Sequence, residues 1–125
     1  MAEPLGILLL SGGHERAHYA FVLAAGAAAL GRRVVLFATN AGCHALGADL
    51  AALADDGRDA AVRAAGVAGL GELRQAAVEM GVRRIACEAG LRTAGIDPAL
   101  LAPGVEVAGV ATFLEAVGTG QIITL

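Results

Sequence analysis

The sequence predicts an α/β fold, a three-layer α/β/α domain in which helices cover both faces of a five-stranded parallel sheet. Short runs of consecutive apolar residues alternate with longer helical segments along the 125 residues. Strands that are apolar throughout are typical of parallel sheets buried on both faces. The length suits one domain with a hydrophobic core and is too short for two domains of typical size. Residues 1–125 are therefore expected to form a single domain.

The composition predicts a tight core of small side chains. Apolar residues make up 57% of the chain and aromatic residues 3%, with 30 alanines and 18 glycines. Small side chains let backbones approach closely, although each buries little area. An apolar excess of this size favours burial between subunits, so we expect a homo-oligomer (a dimer, trimer or hexamer).

Charge and hydropathy exclude several classes of protein. The net charge is −3, and the nine basic residues, all arginine, form no stripe on any predicted helix. Without aromatic platforms, nucleic acid is not an expected partner. The longest apolar helical run, residues 19–30, is shorter than the roughly 20 residues of a membrane span. An acid at Glu3 before the first apolar run argues against a signal peptide, and the two cysteines indicate free thiols in the cytoplasm.

The first half of the chain predicts two strands and two helices. Residues 5–10 are an apolar run between a proline and a Ser-Gly-Gly turn, which is typical of a buried strand. Residues 14–30 predict a helix that Gly31 ends. Residues 33–39 predict the second strand, and Asn40 is expected to cap a helix that continues to about Ala54.

The second half predicts three more strands. Residues 55–69 are expected to be a mobile connection or a broken helix, and residues 90–101 a short irregular segment with a helical turn at Asp97-Pro98. The remaining predicted elements are a helix at 70–81 that buries Leu70, Leu73, Ala77 and Met80, strands at 82–87, 105–109 and 121–125, and a helix at 110–118. The arrangement is flavodoxin-like, and ligands of such sheets bind at the carboxyl ends of the strands.

Those carboxyl ends carry all the histidines and cysteines of the chain. Because parallel strands end at one edge, the residues that follow the first three strands are expected to share a pocket. They are Ser11, Gly12, Gly13, His14 and His18 after the first strand, Thr39, Asn40, Cys43 and His44 after the second, and Cys87 and Glu88 after the third.

The sequence leaves the role of each cysteine open. Cys87 ends a strand and precedes a helical turn, and a helix N-terminus stabilises a thiolate. Burial as a small apolar side chain explains Cys87 equally well. Cys43 occupies the first turn of its own predicted helix, where packing is the favoured explanation and a redox pair with Cys87 is the alternative.

Two other site types have weaker support. The glycines at 12 and 13 before a helix suggest an anion loop, but no phosphate-loop or dinucleotide motif is present, and a tight turn explains them. His14 and His18, spaced i and i+4, share a helix face. Together with Cys43 or His44 they would provide ligands that suit a metal ion. No Cys-x-x-Cys or His-Glu-x-x-His motif accompanies them. Neither a metal nor a cofactor is predicted.

Several motifs resemble the DsrE/DsrF-like family, in particular its single-chain DsrE-like branch, often labelled peroxiredoxin-like. An apolar strand ends in Ala86-Cys87, and a glycine follows eight residues later at Gly95. A Gly-Val-Glu turn at 104–106 then precedes Gly-Val-Ala-Thr-Phe-Leu at 109–114. In the first half, Ser11-Gly12 follows a strand and Phe-Ala-Thr at 37–39 precedes Gly42.

The resemblance implies a sulfur-relay protein with a DsrE-like fold that assembles into oligomers. In such relatives a cysteine accepts sulfane sulfur as a persulfide and passes it on, so the expected partners are sulfur donor and acceptor proteins. Cys87 is the implied acceptor, with the loops at 11–14 and 40–44 shaping its pocket and a histidine supporting the thiolate. That branch tends to have polar and methionine residues after the cysteine, whereas this chain has Glu88-Ala89-Gly90. The chain also lacks a methionine-rich insertion at 55–69.

Two alternatives stay open from the sequence. One is a non-catalytic module that binds a nucleotide or another small anion at residues 11–13. The other is a redox or metal-binding protein that uses Cys43, Cys87 and the histidines.

Overall fold

Five strands form one sheet in the computed structural model, which describes residues 3–125. The strands are β1 (Leu5–Leu9), β2 (Val34–Ala38), β3 (Arg83–Cys87), β4 (Glu106–Ala108) and β5 (Ile122–Thr124). The helices are α1 (His14–Ala29), α2 (Arg58–Ala64), α3 (Leu70–Glu79), α4 (Glu88–Ala94) and α5 (Val110–Val117). Two short 3-10 helices cover Asn40–Leu46 and Pro98–Leu100.

The sheet is parallel throughout, in the order β4-β3-β2-β1-β5, which confirms the predicted α/β class. From β1 to β4 the chain advances in one direction across the sheet. Right-handed crossovers therefore put the helices between these strands on one side, and α5, which returns the chain to β5, lies on the other. We call these sides the α1 face and the α5 face.

The two faces have separate cores of unequal size. On the α1 face, Ile7, Leu9 and Leu36 pack with Phe21 of α1 in the larger cluster. On the α5 face, a smaller cluster contains Phe37, whose ring stacks on Phe113 with centroids 4.9 Å apart. A single short helix therefore covers the α5 face.

The apolar segment before Gly31 packs against the sheet as α1. Its inward residues Ala17, Ala20 and Ala24 are fully buried, which lets the helix lie close to the strands. No helix in residues 3–125 is long and apolar enough to cross a membrane.

The prediction of a helix from Asn40 to Ala54 is wrong beyond Leu46, where the 3-10 helix ends. Gly42 bonds through its N–H to the Leu10 carbonyl, and a Cβ at this position would overlap the Leu9 carbonyl. After Leu46 the chain instead pairs with the turn that follows β1, where Ala54 exchanges backbone hydrogen bonds with Gly12 and His14. These long-range backbone bonds outweigh the local helix propensity.

Three other details differ from the predictions. Residues 58–64 form the regular helix α2, although it buries none of its side chains. Residues 88–94 form α4, which ends at Gly95 in the left-handed conformation (φ 68°). Met80, predicted to be buried, is 41% exposed because α3 ends at Glu79 and Met80 caps it.

Candidate functional site

The carboxyl ends of β1, β2 and β3 bring three loops into contact. Gly90, in the first turn of α4, lies so close to Thr39 and Asn40 that a Cβ there would overlap the Thr39 hydroxyl and the Asn40 amide. Gly12 packs tightly on Ala41, since a Cβ added to this glycine would lie only 2.7 Å from the alanine Cβ. The contact between Gly90 and Thr39 was not predicted. Their close approach depends on residues about 50 positions apart, and sequence spacing gives no signal for it.

Cys87 is the last residue of β3 and the N-cap of α4. Its Sγ accepts a hydrogen bond from the Gly90 N–H at 3.4 Å. The side chain is 8% exposed and belongs to the α5-face cluster with Phe37 and Phe113. Strand pairing places Ala108 beside it. The sulfur therefore lies at the edge of a core and receives an amide donor.

Glu88, the acid next to this thiol, is exposed and paired. Its Oε1 accepts a hydrogen bond from Arg92 at 2.7 Å, one turn along α4. The pair is at the surface, so its net contribution to stability is about 0.3–0.5 kcal/mol. Its effect at the site is to compensate the carboxylate charge beside Cys87.

Cys43 has a different environment. It is fully buried in the α1-face cluster, and its Sγ–H donates to the Ala38 carbonyl at 3.4 Å. Burial raises the pKa of the Cys43 thiol to about 11, and the nearby Cys87 charge adds to the increase. Both cysteines are free. Cys43 belongs to the α1-face cluster and Cys87 to the α5-face cluster, and the Cys87 amide and side chain both affect the pKa of Cys43.

Two amides at the start of α1 are bonded within the protein. The Gly13 N–H bonds to Ser11 Oγ at 3.3 Å, and the His14 N–H bonds to the Ala54 carbonyl at 2.8 Å. An anion at a helix N-terminus needs such N–H groups to be available. Gly12 thus serves close packing against Ala41, whereas a Cβ at Gly13 would meet only Ser11 Oγ at 3.7 Å.

His14 and His18 hold helices together. The buried His14 donates from Nε2 to Asp59 Oδ1 at 2.8 Å and accepts from Arg58 at Nδ1 at 3.2 Å. His18 donates from Nε2 to the Ala68 carbonyl at 2.9 Å, and the two rings stack 5.5 Å apart. Their polar atoms therefore engage α2 and the segment before α3 rather than either thiol.

His44 lies at a cavity of about 440 Å³ between the 3-10 helix at 40–46 and α4. Cys43, Asp49, Ile96 and Leu100 also line this cavity, which is mainly apolar. The structure therefore separates the three predicted histidines into two locations. Within residues 3–125, no three His, Cys, Asp or Glu side chains are grouped so that they could bind a metal ion.

The model of one protein family matches almost the whole chain. It is the DsrE/DsrF-like family, and the match spans residues 5–125. The chain belongs to the DsrE/DsrF-like family. This agrees with the resemblance carried by Ala86-Cys87 and by residues 109–114.

Two solved structures share the fold of this DsrE/DsrF-like chain. The YchN protein of E. coli superposes with a TM-score of 0.72 at 14% identity, covering 100% of both chains. A protein of unknown function from Methanobacterium thermoautotrophicum, MTH1491, gives a TM-score of 0.60 at 19% identity, covering 98% of this chain and 99% of its own. At these identities the likeness shows the fold alone. No curated protein sequence matches the chain.

Helix α5 of this DsrE/DsrF-like protein is apolar on both sides. Phe113 and Val117 point into the sheet, whereas Val110 and Leu114 are 54% and 51% exposed. Ile122 of β5, which shares the α5 face with Gly6, is 40% exposed. Apolar residues clustered on a surface in this way mark interaction sites in soluble proteins.

Proposed function

We propose that Cys87 accepts sulfane sulfur as a persulfide and passes it to a partner protein. The family is associated with sulfur relay, and Cys87 is the cysteine at its Ala-Cys motif. The chain then acts as a carrier between a donor protein that presents a persulfide and an acceptor protein that presents a thiol.

The observation that supports this choice most strongly is the hydrogen-bonding role of each sulfur. Cys87 Sγ accepts an N–H from Gly90, whereas Cys43 Sγ–H donates to a carbonyl. An amide donor stabilises a negative sulfur and a carbonyl acceptor stabilises a protonated one. Cys87 has the environment that suits a nucleophile, and Cys43 has one that suits a buried thiol.

The transfer is a thiol–disulfide type of exchange. The Cys87 thiolate attacks the outer sulfur of the donor persulfide, R–S–SH. A new S–S bond forms at Cys87, the donor S–S bond breaks, and the donor leaves as the thiolate R–S⁻. In the second half, an acceptor thiolate attacks the outer sulfur on Cys87 and releases the Cys87 thiolate. Sulfane sulfur moves unchanged in oxidation state, so the cycle needs no cofactor.

The alternatives from the sequence have less support. The N–H groups of Gly13 and His14 are bonded within the protein, which leaves fewer donors for an anion at this turn. Metal binding by His14 and His18 competes with their bonds to Asp59 and Ala68. The proposed relay requires a reduced Cys87, which supports a location in a reducing compartment such as the cytoplasm.

Self-association through the α5 face is part of the proposal. Members of the family are often oligomeric, and the exposed side chains of Val110, Leu114 and Ile122 form an apolar surface that a second copy can cover. Leu114→Glu puts a charge on this surface without touching the core. Light scattering should show a smaller mass for Leu114→Glu, with Glu115→Gln on the same helix as the control. A wild-type chain that is monomeric at micromolar concentration would count against this part.

The relay is tested by intact-protein mass spectrometry after brief exposure to a persulfide donor. Wild type, Cys87→Ser and Cys43→Ser are compared. We expect a gain of one sulfur mass that dithiothreitol reverses, present in wild type and Cys43→Ser and missing in Cys87→Ser. No adduct in the wild type, or equal adducts in both single variants, would overturn the assignment. Circular dichroism of each variant separates lost chemistry from lost folding.

A further inference from the structure

Two arginines without an acidic partner line one cavity on the α1 face. Arg74 of α3 and Arg84 of β3 both border a cavity of about 440 Å³, together with the turn that precedes β4. Arg84 shares the α1 face with Leu36, its neighbour on β2. Both arginine side chains are half-buried. The cavity lies away from Cys87, which belongs to the opposite face.

The positive charge in this cavity is uncompensated. Within residues 3–125 neither guanidinium forms an ion pair, whereas Arg58, Arg63, Arg83 and Arg92 each have a carboxylate partner. Two adjacent, partly buried guanidiniums repel each other and lose hydration. In agreement with this, burial lowers the pKa of Arg74, and the Arg84 charge lowers it further.

Most of the hydrogen-bond donors in the cavity are unused. Arg74 donates one N–H to the Gly47 carbonyl at 2.8 Å, and Arg84 donates one to the Pro103 carbonyl at 3.1 Å. These two bonds fix the guanidiniums, each of which has five N–H donors. Arg84 Nε is buried and has no partner at all. Gly104, at φ 82°, leaves the space that Arg84 occupies, since a Cβ there would lie 2.7 Å from its Nη2.

A second arginine-lined cavity differs in the electrostatic surroundings of its arginines. It has a volume of about 470 Å³, and Arg32 and Arg33 lie in it beside Gly31 and Gly81, where α1 and α3 have just ended. The carbonyl ends of two helices favour positive charge. The cavity at Arg74 and Arg84 has no such feature, because Arg74 lies in the middle of α3.

We propose that Arg74 and Arg84 bind a small oxyanion group, a phosphate or a sulfate. Guanidinium forks match the oxygens of such groups, and an anion between them removes the repulsion. The remaining walls include Leu50, Val78 and Pro103, so there is room for an organic portion that carries the anionic group. The site is independent of the proposed sulfur relay, and Cys87→Ser is expected to bind the anion as the wild type does.

Calorimetric titration with inorganic phosphate and with sulfate tests the site, with sodium chloride holding the ionic strength constant. We expect saturable binding of one anion per chain. Because each arginine contributes a charge-assisted hydrogen bond, Arg74→Gln and Arg84→Gln should each weaken binding about tenfold or more. Arg92→Gln, which changes an exposed arginine on α4, should leave binding unchanged. Absent or non-saturable binding in the wild type, or binding in both cavity variants that is as tight as in the wild type, overturns the proposal.

A second variant keeps both arginines, so that a loss of binding is not confused with misfolding caused by the loss of an arginine. Gly71 borders the cavity in the first turn of α3, and a Cβ there meets no atom within 4 Å. Gly71→Glu brings a carboxylate to the arginines at a helix start that favours acids. We expect it to abolish phosphate binding without loss of stability, while Gly71→Gln retains binding. Phosphate binding by Gly71→Glu at the wild-type affinity would contradict the proposal.

Titration with phenyl phosphate distinguishes a phosphorylated organic ligand from the free inorganic ion. Tighter binding than that of inorganic phosphate identifies a phosphorylated organic molecule that also uses Leu50, Val78 and Pro103. Equal binding identifies the free ion, and either result supports the site. Binding of phenyl phosphate that Arg84→Gln leaves unchanged overturns it.

Discussion

His14 Nε2 lies 2.8 Å from Asp59 Oδ1, and this hydrogen bond joins two helices through residues that are 45 positions apart in sequence. The same carboxylate oxygen accepts the N–H of Leu70 at 2.8 Å and so satisfies the start of α3. Helix α2 buries none of its side chains. Its attachment therefore depends on polar contacts, and Asp59 connects it to both α1 and α3.

We predict that Asp59→Ala lowers the free energy of unfolding at pH 7 by about 1–3 kcal/mol, because it leaves a buried histidine N–H and a helix-start N–H without partners. Urea denaturation followed by circular dichroism measures the change. Asp56→Ala is the matched control. Asp56 is exposed on the same segment, and its side chain makes no hydrogen bond within residues 3–125.

The effect of Asp59→Ala should depend on pH. The N–H of Leu70, and after it the bond from His14, hold the pKa of Asp59 below its ordinary value of 3.8. A lowered pKa in the folded state stabilises the protein above the unfolded pKa, and this part is lost as the pH falls through the folded pKa. The difference between wild type and variant should therefore be constant near neutrality and shrink below about pH 3.8. An undiminished difference at pH 2 would contradict the electrostatic origin.

The sequence was sufficient for the elements that local pattern determines. The strands at 5–10, 33–39 and 82–87 were predicted to within one or two residues because each contains a short apolar run, which in the third strand is limited to residues 85–87. Helix α1 was predicted because its apolar run ends at a glycine. The segment after β2 was not, since Gly42 must fit against Leu9 and Ala54 bonds to residues some 40 positions earlier. Such contacts leave no local signal.

In the candidate site, too, local sequence pattern predicted some features and distant contacts determined the others. Parallel strands bring their carboxyl ends together, so the sequence predicted that the loops after β1, β2 and β3 meet. Which way a side chain points depends on distant partners. Asp59 directs His14 and Ala68 directs His18, and no spacing rule connects these pairs. Arg74 and Arg84 were not predicted as a pair either, because only the tertiary fold brings them to one cavity.

The two thiols should differ in reactivity. We predict that iodoacetamide modifies Cys87 in the native protein and leaves Cys43 unmodified, because Cys43 is fully buried and donates to the Ala38 carbonyl. Peptide mass mapping identifies the modified residue. Labelling in urea is the control, and both cysteines should then react equally. Preferential labelling of Cys43 in the native state would contradict the assignment.

Cys43 should also contribute to the loss of stability at high pH. Its pKa is raised from 9.0 to about 11, so the folded state holds the proton more tightly than the unfolded state. The stabilisation is complete below pH 9 and is lost as the pH rises through the folded pKa. Cys43→Ala should reduce the fall in unfolding free energy between pH 9 and 11. Denaturation series at matched pH values measure this, and equal slopes in both proteins would exclude the effect.

Phe113 should account for much of the stability of the α5 face. Its ring is 1% exposed and stacks on Phe37, in a cluster of only six buried residues. Phe113→Ala should therefore cost about 3–5 kcal/mol of unfolding free energy. Glu115→Ala, on the exposed side of the same helix, should change it by less than about 0.5 kcal/mol. A small cost for Phe113→Ala would mean that α5 is not packed as described.

Two glycine-to-alanine changes should have opposite effects. Gly26 lies in the middle of α1, where an added Cβ would meet no atom within 4 Å, so Gly26→Ala should stabilise the protein by about 0.5–1 kcal/mol. At Gly90 the same methyl group meets Thr39 and Asn40, so Gly90→Ala should destabilise it by about 1–3 kcal/mol. Because the Gly90 N–H is the donor to Cys87 Sγ, displacement of α4 should also slow alkylation or sulfur loading at Cys87. If Gly90→Ala lowers stability but leaves the rate at Cys87 unchanged, that hydrogen bond does not control the reactivity of the thiol.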